Sequence, residues 1–212
     1  MIELYLDRLV AEYTNEAHLD EVTRAKLEYF QRTGEVHDDD ECFEHRMASF
    51  VDWYLFDRPL GENAHTPAMK FLADHVDALT KEEAEVFRGF ADTRHSLFRV
   101  LKVSDAGVRL YDIIDDEKVD VDRRRAIAGV MKGDIFEARL IPFEKRLHFS
   151  RGFCFHPREA EALILRRVKK AKLDGFPERN DLLHLLAFLR LRMERYRNVG
   201  WDRIYAEGLD GC

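Results

Sequence analysis

The spacing of the apolar residues changes twice along the chain, and these two changes restrict the fold more than any other feature. Up to residue 95 apolar positions recur at three and four, over 96–156 they alternate, and from Pro157 the helical spacing returns. Helical spacing gathers every third or fourth side chain on one face, whereas alternation gathers every second one on a sheet face, so the segments cannot exchange roles. No internal repeat or low-complexity linker separates them. The expectation is an α+β protein: an acidic helical region over 1–95, a small antiparallel β-sheet or partly open barrel over 96–156, and a basic region with a helical pair over 157–212, packed as one compact unit.

Within the first region, Ile2, Tyr5, Leu6, Leu9, Val10 and Tyr13 mark one helix, and Leu19, Val22, Ala25 and Tyr29 mark a second that ends at Gly34. The acidic run HDDDE, residues 37–41, precedes Phe43, Met47, Phe50, Tyr54 and Leu55, and reads as the first turn of a third helix, where carboxylates complement the positive helix end. Pro59 ends that helix. Trp53 and Phe56 widen its apolar stripe beyond one side, which predicts burial from two directions. Thr66 before Pro67, and Thr80 with Glu83, are the starts of two further helices. In the middle region SLFRVLKV and VRLYDII flank a turn at 104–107 and predict a hairpin; KVDVD, GDIFEARLIPF and RLHFSRGFCF supply further strands. After Pro157, Ala160, Leu163, Ile164, Val168 and Ala171 line one helix, and beyond the break at DGFP Leu182, Leu186, Leu189 and Met193 line another.

The net charge of −7 conceals an asymmetry: residues 1–96 hold 10 Lys/Arg against 22 Asp/Glu, whereas residues 97–200 hold 23 against 16. The two parts either attract each other within the molecule or leave the basic part for an acidic partner. Apolar runs are only a few residues long and residues 1–10 already include Glu3, Asp7 and Arg8, so the expectation is a soluble cytoplasmic protein without a membrane span. Cys42, Cys154 and Cys212 lack paired spacing, which argues for reduced thiols over a disulfide framework.

The run FVDWYLFDRP, the Thr66–Pro67 start, RHSLFRVLKV, LYDIIDDEKVDV, and GDIFEARLIPF followed by a glycine-centred strand stand in a familiar order. Over residues 43–157 this order resembles an uncharacterised group of bacterial proteins, some of which carry a cysteine-rich SEC-C zinc motif. The resemblance implies an architecture and no catalytic residues. The chain has no Cys-x-Cys cluster, so the zinc module and its partner are not carried over.

Several clusters invite chemistry. Glu41 and His45 stand four apart and could share a helix face toward a metal, but the acidic helix start explains the run without one. Cys154 and His156 alternate onto one strand face, with His148 nearby in sequence, as a zinc or thiolate arrangement would require; a buried thiol beside a histidine is the simpler reading. Asp112, Asp115, Asp116 and Glu117 lie between two strands and read as a solvated turn. Phosphate-binding glycine loops, nucleophile elbows and kinase motifs are absent from the sequence. No catalytic residue, metal ligand or cofactor is assigned.

Two binding readings remain. The first is a non-enzymatic interaction or regulatory protein that docks an acidic protein partner through Arg166, Arg167, Lys169, Lys170, Arg190 and Arg192. The second is a nucleic-acid-binding regulator that uses Arg99, Arg109, Arg123, Arg124, Arg125, Arg139 and Arg151, interleaved with Phe98, Tyr111, Phe136, Phe149, Phe153 and Phe155. Ordinary strand alternation, rings inward and arginines outward, competes with the second. An enzyme built around Cys154 and His156 ranks third.

Overall fold

A computed structural model of the chain describes residues 2–61, 64–122, 129–174 and 179–210. Five helices come first: α1 (Ile2–Tyr13), α2 (Leu19–Thr33), α3 (Phe43–Phe56), α4 (Pro67–His75) and α5 (Lys81–Gly89). Five strands follow: β1 (Arg94–Ser104), β2 (Gly107–Asp112), β3 (Glu117–Asp122), β4 (Ile135–Phe143) and β5 (Arg146–His156). The expected helical pair is present as α6 (Glu161–Leu173) and α7 (Arg179–Arg195), and α8 (Trp201–Asp210) is added after it. The architecture is α+β, as the two changes of spacing predict. Gly175, Phe176 and Pro177 of the break lie outside the described residues, as does Cys212. Among the described residues no helix is long and apolar enough to cross a membrane.

The sheet closes completely. Its strand order is β1-β2-β3-β5-β4, with β4 pairing back to β1. Four contacts are antiparallel, and the fifth, β3 with β5 at Val121 and Leu147, is parallel. That parallel contact turns an antiparallel meander into a Greek-key barrel with no free sheet edge, which removes a template for unwanted strand pairing. The interior is filled by side chains: Phe98, Leu110, Phe136, Leu140 and Phe149 are wholly shielded, so the barrel is a packed core.

Two further cores lie outside the barrel. One joins α1 to α5 with Ile141 and Phe143; the other joins α6, α7 and α8 with Leu97, Ile113, Ile114 and Ile135. β4 therefore contributes to all three cores and is buried almost throughout, whereas β2 and β3 alternate between buried and exposed positions. The aromatic run on α3 explains itself in this setting. Trp53, Tyr54, Leu55 and Phe56 are all buried because α3 is held between the other N-terminal helices and the outer surface of β5. Phe56 meets Phe90 edge-on at 5.8 Å, and Tyr29 lies 5.4 Å from Trp53.

Contact between α3 and β5 is closest at Gly152. A Cβ there would stand 2.7 Å from Ser49 Cα, nearer than side-chain carbons approach backbone. The joint is fixed by Asp52, whose carboxylate accepts from Ser150 Oγ at 2.6 Å and from the Gly152 amide at 3.1 Å. Burial pushes the Asp52 carboxyl above its ordinary value, opposed by the Arg139 charge and by these two donors.

Local signals place the helix starts. Thr66 accepts from the Met69 amide with Pro67 in the first turn, and Thr80 with Glu83 forms a reciprocal capping box. The acidic run 37–41 behaves differently from the expectation. It is a turn, and α3 begins at Phe43, beyond it. Asp40 accepts from the His37 amide at 2.8 Å and pairs with Arg195 at 2.6 Å, while Glu41 pairs with Arg197 at 2.9 Å. Charge attraction to the end of α7 holds the run, in place of the α3 helix dipole.

Candidate functional site

The surface chemistry turns on which cations the fold neutralises. Arg139 is 2% exposed: it donates to Thr93 Oγ1 at 2.9 Å, pairs with Asp57 and lies 5.2 Å above the Phe56 ring. It is a structural joint between β4 and the end of α3. Arg151 pairs with Glu3 at 2.7 Å and with Asp7, Arg99 with Glu161 at 2.6 Å, and Arg109 with Asp120 through two bonds of 2.7 and 2.8 Å. Arg123, Arg124 and Arg125 lie outside the described residues. Of the strand-region rings, Phe98, Phe136, Phe149 and Phe153 are inside the barrel and Phe155 packs partly against them. Tyr111 remains half exposed on the outer wall, with the Arg99 guanidinium 5.3 Å from its ring.

Most C-terminal cations are likewise engaged. Arg190 donates to the Phe155 carbonyl at 3.0 Å and to Glu194 at 3.4 Å, Arg179 pairs with Asp115, and Arg195 and Arg197 hold the acidic turn. Arg192 lies over the rings of Phe188 and Tyr196 at 5.9 and 5.8 Å. The exception is α6. Ile164, Val168 and Ala171 face the core, and their spacing turns Arg166, Lys169 and Lys170 outward together. These three are exposed and Arg167 is half buried; none forms an ion pair with a described carboxylate. The only acidic residue of α6 is Glu161, which is engaged by Arg99.

A cleft of about 730 Å³ opens at one end of the barrel between the β1–β2 and β4–β5 turns. Lys102, Ser104, Arg109, Asp122, Lys145 and Arg146 contribute to its walls. Arg109 and Arg146 are paired with Asp120 and Asp122. Lys102 and Lys145 are exposed.

Two groups of metal-ligating side chains occur among the described residues. Asp112, Asp115 and Glu117 form the first. Asp112 accepts from Ser96 Oγ at 2.6 Å and from the amides of Ile114 and Asp115, which makes it the organiser of the β2–β3 turn. Arg94 and Arg179 neutralise the group, so a cation would meet two guanidinium groups there. Glu137, Cys154 and His156 form the second, and all three are buried. His156 places Nε2 3.0 Å from Glu137 Oε1 and Nδ1 2.9 Å from the Tyr205 hydroxyl. Burial and the Glu137 charge push the Cys154 thiol far up, and burial raises the Glu137 carboxyl against the pull of His156. Such burial disfavours the free thiolate. Cys42 is raised to about 11 by burial and by Glu194. His148 packs against Phe143 at 5.7 Å and stands outside the group, and His45 lies 6.3 Å from the Phe153 ring while Glu41 is engaged by Arg197.

A family model matches residues 7–191, most of the chain. The protein belongs to DUF7986, a family of unknown function. No curated protein and no solved structure matches it. The DUF7986 match contains the whole barrel, α6 and most of α7. Tyr205, on α8, falls beyond it.

Sequence reasoning located Cys154 and His156 on one strand face and passed over Glu137. Glu137 stands directly opposite Cys154 in the β4–β5 register, and directly opposite residues share a face. Knowledge of that register is the signal that would have found it.

Proposed function

We propose that this protein is a non-enzymatic interaction protein of the bacterial cytoplasm that docks an acidic protein partner through the outward face of α6. The observation that carries the reading is contrast in pairing. The strand arginines and the end of α7 satisfy internal carboxylates, whereas Arg166, Arg167, Lys169 and Lys170 have no such partner among the described residues. Clustered unpaired cations on a rigid helix raise the encounter rate with an acidic surface and make binding fall with salt. Arg192, stacked between Phe188 and Tyr196, and Arg190, bonded to Glu194, are peripheral to this face.

The test is native mass spectrometry of gently purified protein at low salt, compared with a variant in which Arg166, Arg167, Lys169 and Lys170 are all changed to Glu. Ile164, Val168 and Ala171 are untouched, and a second variant that changes only the exposed Arg166, Lys169 and Lys170 keeps the half-buried Arg167 in place, so circular dichroism of that variant should be unchanged while the partner's mass is lost. Retained binding in the variant would sink the proposal.

A second reading has its own observation. The strand order β1-β2-β3-β5-β4 is that of small Greek-key barrels which present the face of strands 2 and 3, with neighbouring loops, to oligonucleotides. Here that wall carries a cross-strand row of Arg99, Tyr111 and Lys118, and the cleft adds Lys102 and Lys145. One aromatic ring with flanking cations is a minimal stacking platform for a single strand. Steep loss of binding to a labelled single-stranded oligonucleotide with added salt, abolished by Tyr111→Ala with Lys118→Glu and kept by the α6 variant, would favour it.

A further inference from the structure

We propose that Glu137, Cys154 and His156 form a buried site for one zinc-class divalent ion, which locks α8 and the barrel together. The three ligand atoms lie within 4.8 Å of one another, and His156 Nε2 stands 3.0 Å from Glu137 Oε1. Tetrahedral zinc with bonds of about 2.0–2.3 Å needs its ligand atoms about 3.3–3.7 Å apart. Side-chain adjustment of about 1 Å therefore converts the present group into a coordination set. Imidazole nitrogen, thiolate sulfur and carboxylate oxygen together suit zinc better than the hard, oxygen-seeking ions.

The geometry around His156 separates this group from a chance meeting of polar residues. One ring nitrogen faces the ligand group, and the other is held by the Tyr205 hydroxyl at 2.9 Å. An outer partner of this kind fixes the tautomer and orientation of a metal-binding histidine. With the ion bound, Nδ1–H donates to the Tyr205 oxygen and Nε2 gives its lone pair to the metal. The Cys154 thiol releases its proton on binding, as does Glu137 where it carries one. Arg46, 2% exposed with Nε and Nη1 unpaired, acts electrostatically on both Glu137 and Cys154: it favours their anionic forms and repels the ion, so the two anionic ligands must offset its charge.

The ligands come from β4 and β5, and their outer partner comes from α8. Ion binding would thus fasten the C-terminal helix to the barrel wall. Three protein ligands leave one position for a small ligand such as water, and all three ligands are buried. The role assigned is structural, and it stands independently of the docking face on α6.

The site is closed, so the test loads it during folding. Full-length protein carrying Cys42→Ser and Cys212→Ser is unfolded, stripped with chelator and refolded with one equivalent of Co²⁺. The expected result is a near-ultraviolet thiolate-to-cobalt absorption band with intense visible bands, and displacement of cobalt by zinc. Tyr205→Phe should keep the band and weaken binding about tenfold or more, because it removes only the orienting oxygen. The unstripped wild-type chain should carry close to one equivalent of zinc. A refolded protein without the thiolate band, together with metal-free native protein, would overturn the proposal and leave a hydrogen-bonded core network. These measurements all keep Cys154 in place, so they decide the matter without a Cys154 variant.

Discussion

The two walls of the barrel are built from the same kind of strand and treated oppositely. The β4–β5 wall is covered by α3 and by the C-terminal helices, and several polar groups on it are bonded within the fold: Asp52 by Ser150 and Gly152, Arg139 by Asp57 and Thr93 with its Nε left unbonded, His156 by Glu137 and Tyr205. The β2–β3 wall is open and meets water with Arg109, Lys118 and Asp120. An ion pair on the open wall keeps most of its hydration and adds little, whereas a polar group on the covered wall is costly unless its partner is in place. Stability should therefore depend on the covered wall, while the open wall remains free for recognition.

The largest effect should come from the closest contact on the covered wall. Gly152→Ala places a methyl 2.7 Å from Ser49 Cα and 2.9 Å from Ser49 N, so α3 must retreat. The same retreat stretches the Asp52 bonds to Ser150 and Gly152. A loss of about 3 kcal/mol is expected, at the upper end for overpacking, read as a lower midpoint in urea. A midpoint unchanged from wild type would mean that α3 is not pressed onto β5 as described.

How much of this division was legible in the sequence depends on whether its cause is local. Periodicity exposed the strand region, and Thr66, Pro67, Thr80 and Glu83 announced two helices because capping acts within four residues. The acidic turn at 37–41 was misassigned because its partners, Arg195 and Arg197, arrive from the far end of the chain. Strand alternation correctly allowed the rings of Phe98 and Phe136 to be internal. It could not show that Arg99 and Arg151 would meet Glu161 and Glu3. The parallel closure of β3 on β5 and the placing of Glu137 opposite Cys154 depend on register, which composition and spacing do not encode.

An effect of comparable size, but conditional on pH, should appear in acid. His184 on α7 lies edge-on to Tyr29 at 5.5 Å and to Trp53 at 6.2 Å, with both ring nitrogens buried and without a hydrogen-bond partner. Burial first, and the Arg32 charge second, hold its pKa at about 4 against an ordinary 6.5. Between those values the unfolded chain binds the proton and the folded chain does not, so stability rises with pH across the window and is lost as pH falls from 6.5 toward 4. The full loss is about 3 kcal/mol, and below pH 4 this group adds no further change. His95 is displaced in the same direction by burial and by the Arg139 charge. His184→Phe retains the ring packing and removes the titrating nitrogens. Its urea midpoint should fall less between pH 6.5 and 4 than that of wild type, and an unaltered slope would show that His184 is not held neutral.

The smallest effect should lie on the open wall. The Arg109–Asp120 pair has good bidentate geometry, yet the side chains are 55% and 67% exposed, so little desolvation accompanies the contact and salt screens it. Arg109→Ala should leave the urea midpoint where it is at ordinary ionic strength. Combined with Gly152→Ala it should add nothing, because the two sites share no partner. If Arg109→Ala did lower the midpoint, the open wall would be contributing to the fold and would be less free to exchange Asp120 for a ligand anion. With the midpoint unchanged, the same variant becomes a clean probe of oligonucleotide binding, since any change in its salt-dependent affinity can be assigned to the surface and not to the stability of the barrel beneath it.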